Sequence, residues 1–230
     1  MSRCRIRGRP GSYPVATVSD LPLALPPDSA SILRDALDQE RKIDRALEAL
    51  GPLSDRDVVV VGGGPAELVR YAGAGARVEA IETAAGPWPL ADASADAVVS
   101  VWSGFRDGDP VEVAEADRVL RPGGRLLVVH DYGRDDVAGL RGELPEHGSW
   151  TKSAGPFLTQ GFRIRVIHCF WTFPTIDAAR DFLAAAFGER GAAAGEALKR
   201  PRLSYNVAVY HRTRGDGGAE AGAGAAAAAV

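Results

Sequence analysis

Residues 115–133 read EADRVLRPGGRLLVVHDYG, and this order of polar, turn-forming and apolar residues decides the fold. The first six residues continue a helix that begins at Asp109-Pro110, where Asp is a favoured N-cap and Pro a favoured first-turn residue. Arg121–Gly124 follows as a tight turn, and Arg125–His130 is an apolar run short enough for a buried strand. The stretch predicts a helix, a turn and a central strand.

A second strand-like run lies upstream and ends in three glycines. Val58–Val61 is purely β-branched, as expected of a buried parallel strand, and Gly62, Gly63 and Gly64 separate it from a helix that begins at Pro65. Glycines before a helix let the backbone approach a ligand closely, and the helix N-terminus offers unpaired N–H groups. We therefore predict that these glycines contact a cofactor.

The next strand, Arg77–Glu82, ends in a carboxylate about 20 residues after Gly62. At this spacing an acidic residue can accept hydrogen bonds from both ribose hydroxyls of a nucleoside cofactor. Glu82 is therefore the best single candidate for a ligand contact. A further strand, Ala97–Trp102, continues the alternation of strands and helices that is typical of an α/β domain with a parallel sheet.

Two families share this arrangement. Residues 57–82, DVVVVGGGPAELVRYAGAGARVEAIE, resemble by themselves the opening of a flavin-dependent oxidoreductase, whose pattern is G-x-G-x-x-G. Glu67 stands at the third glycine position, where a side chain obstructs close helix packing and a charge repels a pyrophosphate. A flavin or NAD dinucleotide-binding protein is therefore the third interpretation.

Residues 115–133 resemble the helix, turn and fifth strand of class I S-adenosylmethionine-dependent methyltransferases, of the methyltransferase type 11 kind. Residues 88–102, WPLADASADAVVSVW, are similar to that family's loop and fourth strand, whose end lies beside the methionine portion of the cofactor. The resemblance implies S-adenosylmethionine as cofactor, with Ser100 and Trp102 as further contacts. A sulfonium cofactor carries no phosphate, so Glu67 is compatible with this interpretation.

The last third of the chain predicts an irregular stretch to about Gln160, a strand Phe162–Phe170, a helix Thr175–Phe187 ended by Gly188, and a strand Tyr205–His211. The two strands are similar to the family's last two, which pair antiparallel.

The resemblance is abridged between the second and fourth strands. About fifteen residues separate Glu82 from Ala97, too few for a helix and a strand. We expect a Rossmann-like, doubly wound, mostly parallel sheet with an antiparallel last strand and without the usual third strand. The acid that holds the adenine amino group is then missing, and the edge beside Arg77–Glu82 is exposed or covered by the leader or entry helix. In an alternative register, residues 81–92 align with the family's third strand and its loop, Ala84 stands at the acid's position, and the ribose-binding strand is missing instead.

Methyl transfer depends on alignment and desolvation more than on a dedicated base. If a base takes part, His130 and Asp131 are the candidates, because ligands of open α/β sheets bind at the carboxyl ends of the strands. The alternative for this pair is a loop role, capping local backbone. Trp102 either walls the pocket or fills the core.

The chain has 230 residues, of which 46% are hydrophobic and 25% charged, as expected of one globular domain. Residues 1–27 contain five prolines and predict an extended or disordered leader. Residues 28–213 predict a single methyltransferase-like domain with an N-terminal helix, capped by Asp28 or Ser29 and ending at Leu50. Residues 214–230 predict a disordered Gly/Ala tail.

The net charge of -3, with mixed signs, argues against nucleic acid as a partner. No signal peptide and no run of roughly 20 apolar residues is present, so we expect a cytoplasmic protein without membrane contact. The two cysteines and four histidines form no spaced set, so neither a metal site nor a disulfide is expected. The sequence leaves the oligomeric state open.

These features predict S-adenosylmethionine-dependent methyl transfer to an unidentified small molecule. The alternative is a non-catalytic methyltransferase-like protein that keeps the fold for binding or assembly, because one cofactor-binding carboxylate is absent in either register.

Overall fold

A computed structural model of the chain describes residues 21–142 and 144–215. Most of the predicted leader and of the predicted tail lies outside the described residues. The strands are β1 (Asp57–Val61), β2 (Arg77–Ile81), β3 (Ala95–Val101), β4 (Leu120–Asp131), β5 (Arg163–Thr172) and β6 (Arg202–Thr213). The helices are α1 (Pro27–Ala36), α2 (Lys42–Leu50), α3 (Pro65–Gly73), α4 (Pro110–Val119), α5 (Asp136–Arg141) and α6 (Ile176–Ala197).

The strands form one six-stranded sheet in the order β2-β1-β3-β4-β6-β5. Strands β1, β2, β3 and β4 run parallel to one another, and β6 runs antiparallel to both β4 and β5. This confirms the expected Rossmann-like, mostly parallel sheet with an antiparallel last strand. Among the described residues no strand lies beyond β2, so the absence of the usual third strand is confirmed as well.

The segment between β2 and β3 is a compact loop instead of a helix and strand. Ala84 and Trp88 are buried, and the Trp88 indole Nε1 donates a hydrogen bond to the Ala84 carbonyl at 3.2 Å. The loop packs against the layer that contains α4 and leaves the outer edge of β2 without a described strand. Arg77, Glu79 and Ala80 of β2 are exposed.

The predicted single entry helix is wrong, because the structure divides it into α1 and α2. Leu37 forms a bridge to Trp171 of β5, and Asp38 and Arg41 adopt positive φ angles of 46° and 53°. The Asp38 carboxylate accepts a hydrogen bond from the Ile43 N–H at 2.7 Å, within the first turn of α2. The N-cap of α1 is Pro26, so the caps predicted at residues 28 and 29 are also wrong.

Other boundaries differ by specific local features. Gly188 breaks α6 as predicted, with φ 60°, but helical structure resumes and continues to Ala197. The stretch predicted to be irregular contains α5, whose N-cap Asp135 accepts a hydrogen bond from the Ala138 N–H. Strand β4 begins at Leu120, before the predicted turn, because Leu120 pairs with Ala95.

Apolar layers cover both faces of the sheet. The first layer, between the sheet and α1, α2 and α6, includes Leu33, Leu47, Leu127, Trp171 and Leu183. The second layer, between the sheet and α4 with the loop after α5, includes Val119, Leu126, Trp150, Phe157 and Tyr210. Helices therefore cover both faces, as in a doubly wound sheet. Leu21, in the predicted leader, is buried in the first layer.

Candidate functional site

The glycine loop follows β1 at the carboxyl edge of the sheet. Gly62 has φ +67°, and its N–H donates a hydrogen bond to the Ile81 carbonyl at 2.7 Å. A Cβ at Gly62 would overlap the Ser103 side chain, and one at Gly63 would lie 2.9 Å from Glu67 Oε2. Gly64 is the N-cap of α3. The first two glycines thus permit close approach to other parts of this chain, and their contact with a cofactor stays a prediction.

Ser100 lies inside the protein and supports the loop that follows β3. Its hydroxyl accepts a hydrogen bond from the Gly104 N–H at 2.9 Å and lies 3.0 Å from the Ser103 hydroxyl. Ser103 in turn donates to the Val61 carbonyl at 2.6 Å, which joins this loop to the end of β1. Contact of Ser100 with a cofactor therefore stays a prediction. In this structure the Ser100 hydroxyl holds Ser103 and Gly104 in position.

A cavity of about 380 Å³ lies beside Trp102, at the end of β3. The linker between α1 and α2 forms one wall and the first turns of α3 form another. Its lining includes Asp38, Ile43, Glu67, Arg70 and Trp102. The volume falls within the range of small-molecule sites, and the position is the edge at which open α/β sheets bind ligands. Trp102 both walls this cavity and packs against the first layer.

Two of the buried polar atoms on residues that line the cavity lack a hydrogen bond of ordinary geometry, although the Asp38 carboxylate also interacts with the buried Cys169 thiol and the Trp102 indole with the Tyr205 hydroxyl. One is Asp38 Oδ1, whose partner oxygen Oδ2 is held by the Ile43 N–H, and the other is the Trp102 indole Nε1. Because these contacts leave both polar atoms incompletely satisfied, either atom can gain a hydrogen bond from a ligand. One atom is an acceptor and the other a donor, a combination that suits an amino-acid group.

The remaining charges around the cavity largely neutralise one another. Asp44 accepts from Arg41 at 3.1 Å and lies 3.4 Å from Arg70. Asp38 and the other residues of the α1–α2 linker were not found by sequence analysis, because only the pairing of Leu37 with β5 brings the linker to this edge. The break in apolar periodicity at residues 38–42 was the available signal.

Glu67 is a buried side chain of α3, 2% exposed. Its Oε1 accepts a hydrogen bond from the Tyr71 hydroxyl at 3.2 Å. Burial raises the pKa of Tyr71 well above its usual range, and the Glu67 charge adds to this. The carboxylate lies beside Gly63, where a dinucleotide-binding loop needs close backbone packing. This placement disfavours the flavin or NAD interpretation.

Glu82 is exposed and directly follows Ile81, whose carbonyl binds the Gly62 N–H. The structure therefore brings Glu82 next to the glycine loop, although Glu82 does not line the cavity beside Trp102. Ribose binding by Glu82 stays a prediction. Ala84, the acid's position in the alternative register, is buried against the loop after β3.

His130 and Asp131 end β4 but are enclosed by the protein. The His130 Nε2 donates to the Gly104 carbonyl at 2.9 Å, and its ring meets Trp150 edge-on with centroids 5.0 Å apart. Burial, together with the charge of Arg106, lowers the pKa of His130 to about 4. Asp131 accepts hydrogen bonds from Arg141 and from the Tyr205 hydroxyl. Neither lines the cavity, and a role as general base stays a prediction.

Within residues 21–142 and 144–215, no helix combines the length and apolar character needed to cross a membrane. No group of three or more His, Cys, Asp or Glu side chains in the same residues is arranged to hold a metal ion.

No protein-family model and no curated protein matches the sequence. A proposed methyltransferase of an antibiotic biosynthesis pathway from Anabaena variabilis aligns with a TM-score of 0.50 at 14% identity, over 77% of this chain and 98% of that chain. A proposed methyltransferase from Bacillus halodurans aligns at 15% identity over 75% of this chain and 98% of its own, with a TM-score of 0.46. The likeness to the Anabaena variabilis protein, together with the sheet order, shows the Rossmann-like fold that the resemblance implied. The type 11 assignment stays a prediction.

Proposed function

We propose that the chain binds S-adenosylmethionine at the carboxyl edge of its sheet and transfers the methyl group to a small molecule. The observation that carries the proposal is the cavity between Trp102, α3 and the α1–α2 linker, which adjoins the helix that follows the glycine loop. The methyltransferase fold supports the same ligand class.

The side chains around this cavity fit the amino-acid portion of the cofactor. Asp38 Oδ1 would accept a hydrogen bond from the α-ammonium group, and the Trp102 Nε1 would donate one to the α-carboxylate. An indole face also attracts a cation, which suits a positively charged sulfur. Glu82, beside the glycine loop, is the candidate for the ribose hydroxyls.

When bound, the cofactor supplies a methyl group already activated by the positive sulfur. The task of this chain is then to orient that group and to exclude water. Trp102 and the α1–α2 linker enclose the cavity from two sides. Because His130 and Asp131 are occupied by internal hydrogen bonds, we assign no catalytic base and expect an acceptor atom that is nucleophilic without one.

Calorimetric titration with S-adenosylmethionine and S-adenosylhomocysteine tests the proposal. The unmodified chain should bind both ligands at micromolar concentrations. Asp38→Asn should weaken binding at least tenfold, because one charge-assisted hydrogen bond contributes about 1.5–3 kcal/mol. This variant keeps an oxygen able to accept from the Ile43 N–H. Glu82→Ala should weaken binding about fivefold, the effect of a net hydrogen bond near 1 kcal/mol.

Matched controls come from exposed acids away from the cavity. Glu79→Ala changes an exposed acid of β2, three residues before Glu82, and Asp181→Asn changes an exposed position of α6. Both should bind the ligands like the unmodified chain. Equal weakening by Glu79→Ala would show that the Glu82 effect is a general change of charge.

A specific observation favours the alternative, a non-catalytic protein that keeps this fold for binding or assembly. The Ser103 side chain occupies the space beside Gly62, and Ser100 is buried beneath it, so the protein itself fills the inner side of the glycine loop. No binding of either ligand at millimolar concentration would support this alternative and exclude the proposed methyl transfer.

A further inference from the structure

A second and larger groove, of about 710 Å³, lies between α5, the last turns of α6 and the beginning of β6. Strand β6 pairs with β4 only from Val207 onward, opposite Asp131, while residues 202–206 continue past the end of β4 and pair with β5. The groove therefore lies at the carboxyl edge of the parallel strands, where open α/β sheets bind ligands. We call it the basic groove.

The cations of the basic groove form no close ion pair with a described residue, although Arg202 is attracted at longer range by the exposed Glu40. Its four cations are Arg190, Lys199, Arg200 and Arg202, and none forms an ion pair with a described residue. Like charges at one site repel each other unless an anion lies between them. The groove lining carries four cations and two carboxylates, so its balance of charge is positive.

Two carboxylates also line the groove, and three of their four oxygens accept hydrogen bonds from the protein. Asp135 accepts from the Ala138 N–H at 2.7 Å and from the Asn206 N–H at 2.8 Å. Asp136 Oδ2 accepts from the Ser204 N–H at 2.8 Å and from its hydroxyl at 2.7 Å. Burial raises the pKa of Asp135, which further disfavours its charge. These carboxylates fix α5 against β6 and leave the four cations available.

Arg202 is held in a geometry suited to an anion. Its guanidinium carbon lies 4.3 Å from the centroid of the Phe170 ring. Stacking on an aromatic face restricts a guanidinium while its in-plane N–H groups stay free to bind phosphate or carboxylate in a bidentate way. Arg190 is also restrained, because its side chain donates a hydrogen bond to the Leu140 carbonyl at 3.2 Å.

The rest of the groove is apolar, with Leu140, Phe170, Leu198 and Leu203 in its lining. A small depression of about 150 Å³ shares Phe170 and Arg202 with this groove, and Asp38 with the cavity beside Trp102. We propose that the basic groove is a second binding site, for a small molecule that carries a phosphate or carboxylate on an aromatic or alkyl body. This inference does not rest on the proposed methyl transfer.

Calorimetric titration with three probes of similar size tests the proposal: phenyl phosphate, phenylacetate and benzyl alcohol. The unmodified chain should bind at least one of the two anions, more weakly as salt is added, and should bind benzyl alcohol at least tenfold more weakly. Tight binding of only one anion identifies whether phosphate or carboxylate is the recognised group.

Variants locate the binding. The double variant Lys199→Gln/Arg200→Gln should weaken anion binding at least tenfold. The control is Arg163→Gln/Arg165→Gln, which also removes two positive charges but lies at the beginning of β5, outside the groove. This control should leave the affinity for the anions unchanged. The proposal is overturned if neither anion binds at millimolar concentration, if benzyl alcohol binds as tightly, or if both double variants weaken binding equally. Methyl-transfer activity plays no part in this readout.

Discussion

The imidazole of His130 is enclosed between the loop after β3 and the aromatic side chains of the second layer. Its Nε2 binds the Gly104 carbonyl, Trp150 meets it edge-on, and 1% of the residue is exposed. A charged ring in this position would lose its hydration and face the positive charge of Arg106, so burial keeps the ring neutral. His130 therefore positions the loop that carries Trp102 and Ser103.

This burial predicts a specific pH dependence of stability. The pKa of His130 is about 4 in the folded protein, below its ordinary value of 6.5, so on acidification the unfolded chain binds a proton that the folded chain does not. The His130 contribution is therefore complete above about pH 6.5 and is lost as the pH falls towards 4. The loss reaches about 3 kcal/mol at pH 4.

Denaturant unfolding at several pH values between 7 and 4 measures this effect. His130→Gln keeps a donor for the Gly104 carbonyl but cannot titrate, so its free energy of unfolding should fall less steeply over that window. An identical slope in His130→Gln and the unmodified chain would show that other groups carry the pH dependence.

Asp131, the next residue, points to the opposite face and is held there by Arg141 and Tyr205. A buried carboxylate needs such partners, because an unpaired charge in the interior is strongly destabilising. Sequence analysis placed this pair correctly at the carboxyl end of β4, since the apolar run before it is unambiguous. It gave no indication of Arg141 or Tyr205, because those contacts depend on the packing of α5 and β6.

At the scale of elements, β2 is the strand at which the sheet ends among the described residues. The Arg77 N–H donates to the Arg56 carbonyl, and the Ile81 carbonyl accepts from the Gly62 N–H, so alternate residues of β2 face β1. In a pair of parallel strands, the residues that alternate with these direct their N–H groups away from the partner strand, here β1. Val78 and Ala80 therefore present their N–H groups to the outer edge.

Amide hydrogen exchange, followed by NMR, should distinguish these two sets. The amides of Val78 and Ala80 should exchange much faster than those of Glu79 and Ile81, which lie in the same strand and serve as the internal control. Equal protection of all four would show that another segment or a second copy covers the edge.

The elements that sequence analysis predicted best are those with strong local signals. The β-branched run of β1 and the Asp109-Pro110 start of α4 were correct to within a residue, and Asp109 accepts from the Val111 N–H at 2.8 Å. The break between α1 and α2 was missed, because it depends on the contact of Leu37 with distant Trp171. Asp38, the proposed ligand of the cofactor ammonium, was missed for the same reason.

At the scale of the whole molecule, the cavity beside Trp102 and the basic groove lie at one edge of the sheet, and the two apolar layers pack against opposite faces of that sheet. The packing of these two layers against β1, β3 and β4 therefore holds the carboxyl ends of the three strands in place. Loss of packing on either face should disturb the sheet as a unit, because its strands are shared by both layers.

Two neighbouring residues of β4 test this coupling. Leu127 belongs to the first layer and Leu126 to the second, and each is fully buried. Leu126→Ala and Leu127→Ala should each lower the free energy of unfolding by about 2–5 kcal/mol.

Far-ultraviolet circular dichroism and tryptophan fluorescence should report one coincident transition in both variants, since Trp150 lies in one layer and Trp171 in the other. Val69→Ala, at a position 72% exposed, is the control and should change stability little. If one variant unfolds in two steps while the other does not, the layers fold separately, and the proposed single domain would be wrong.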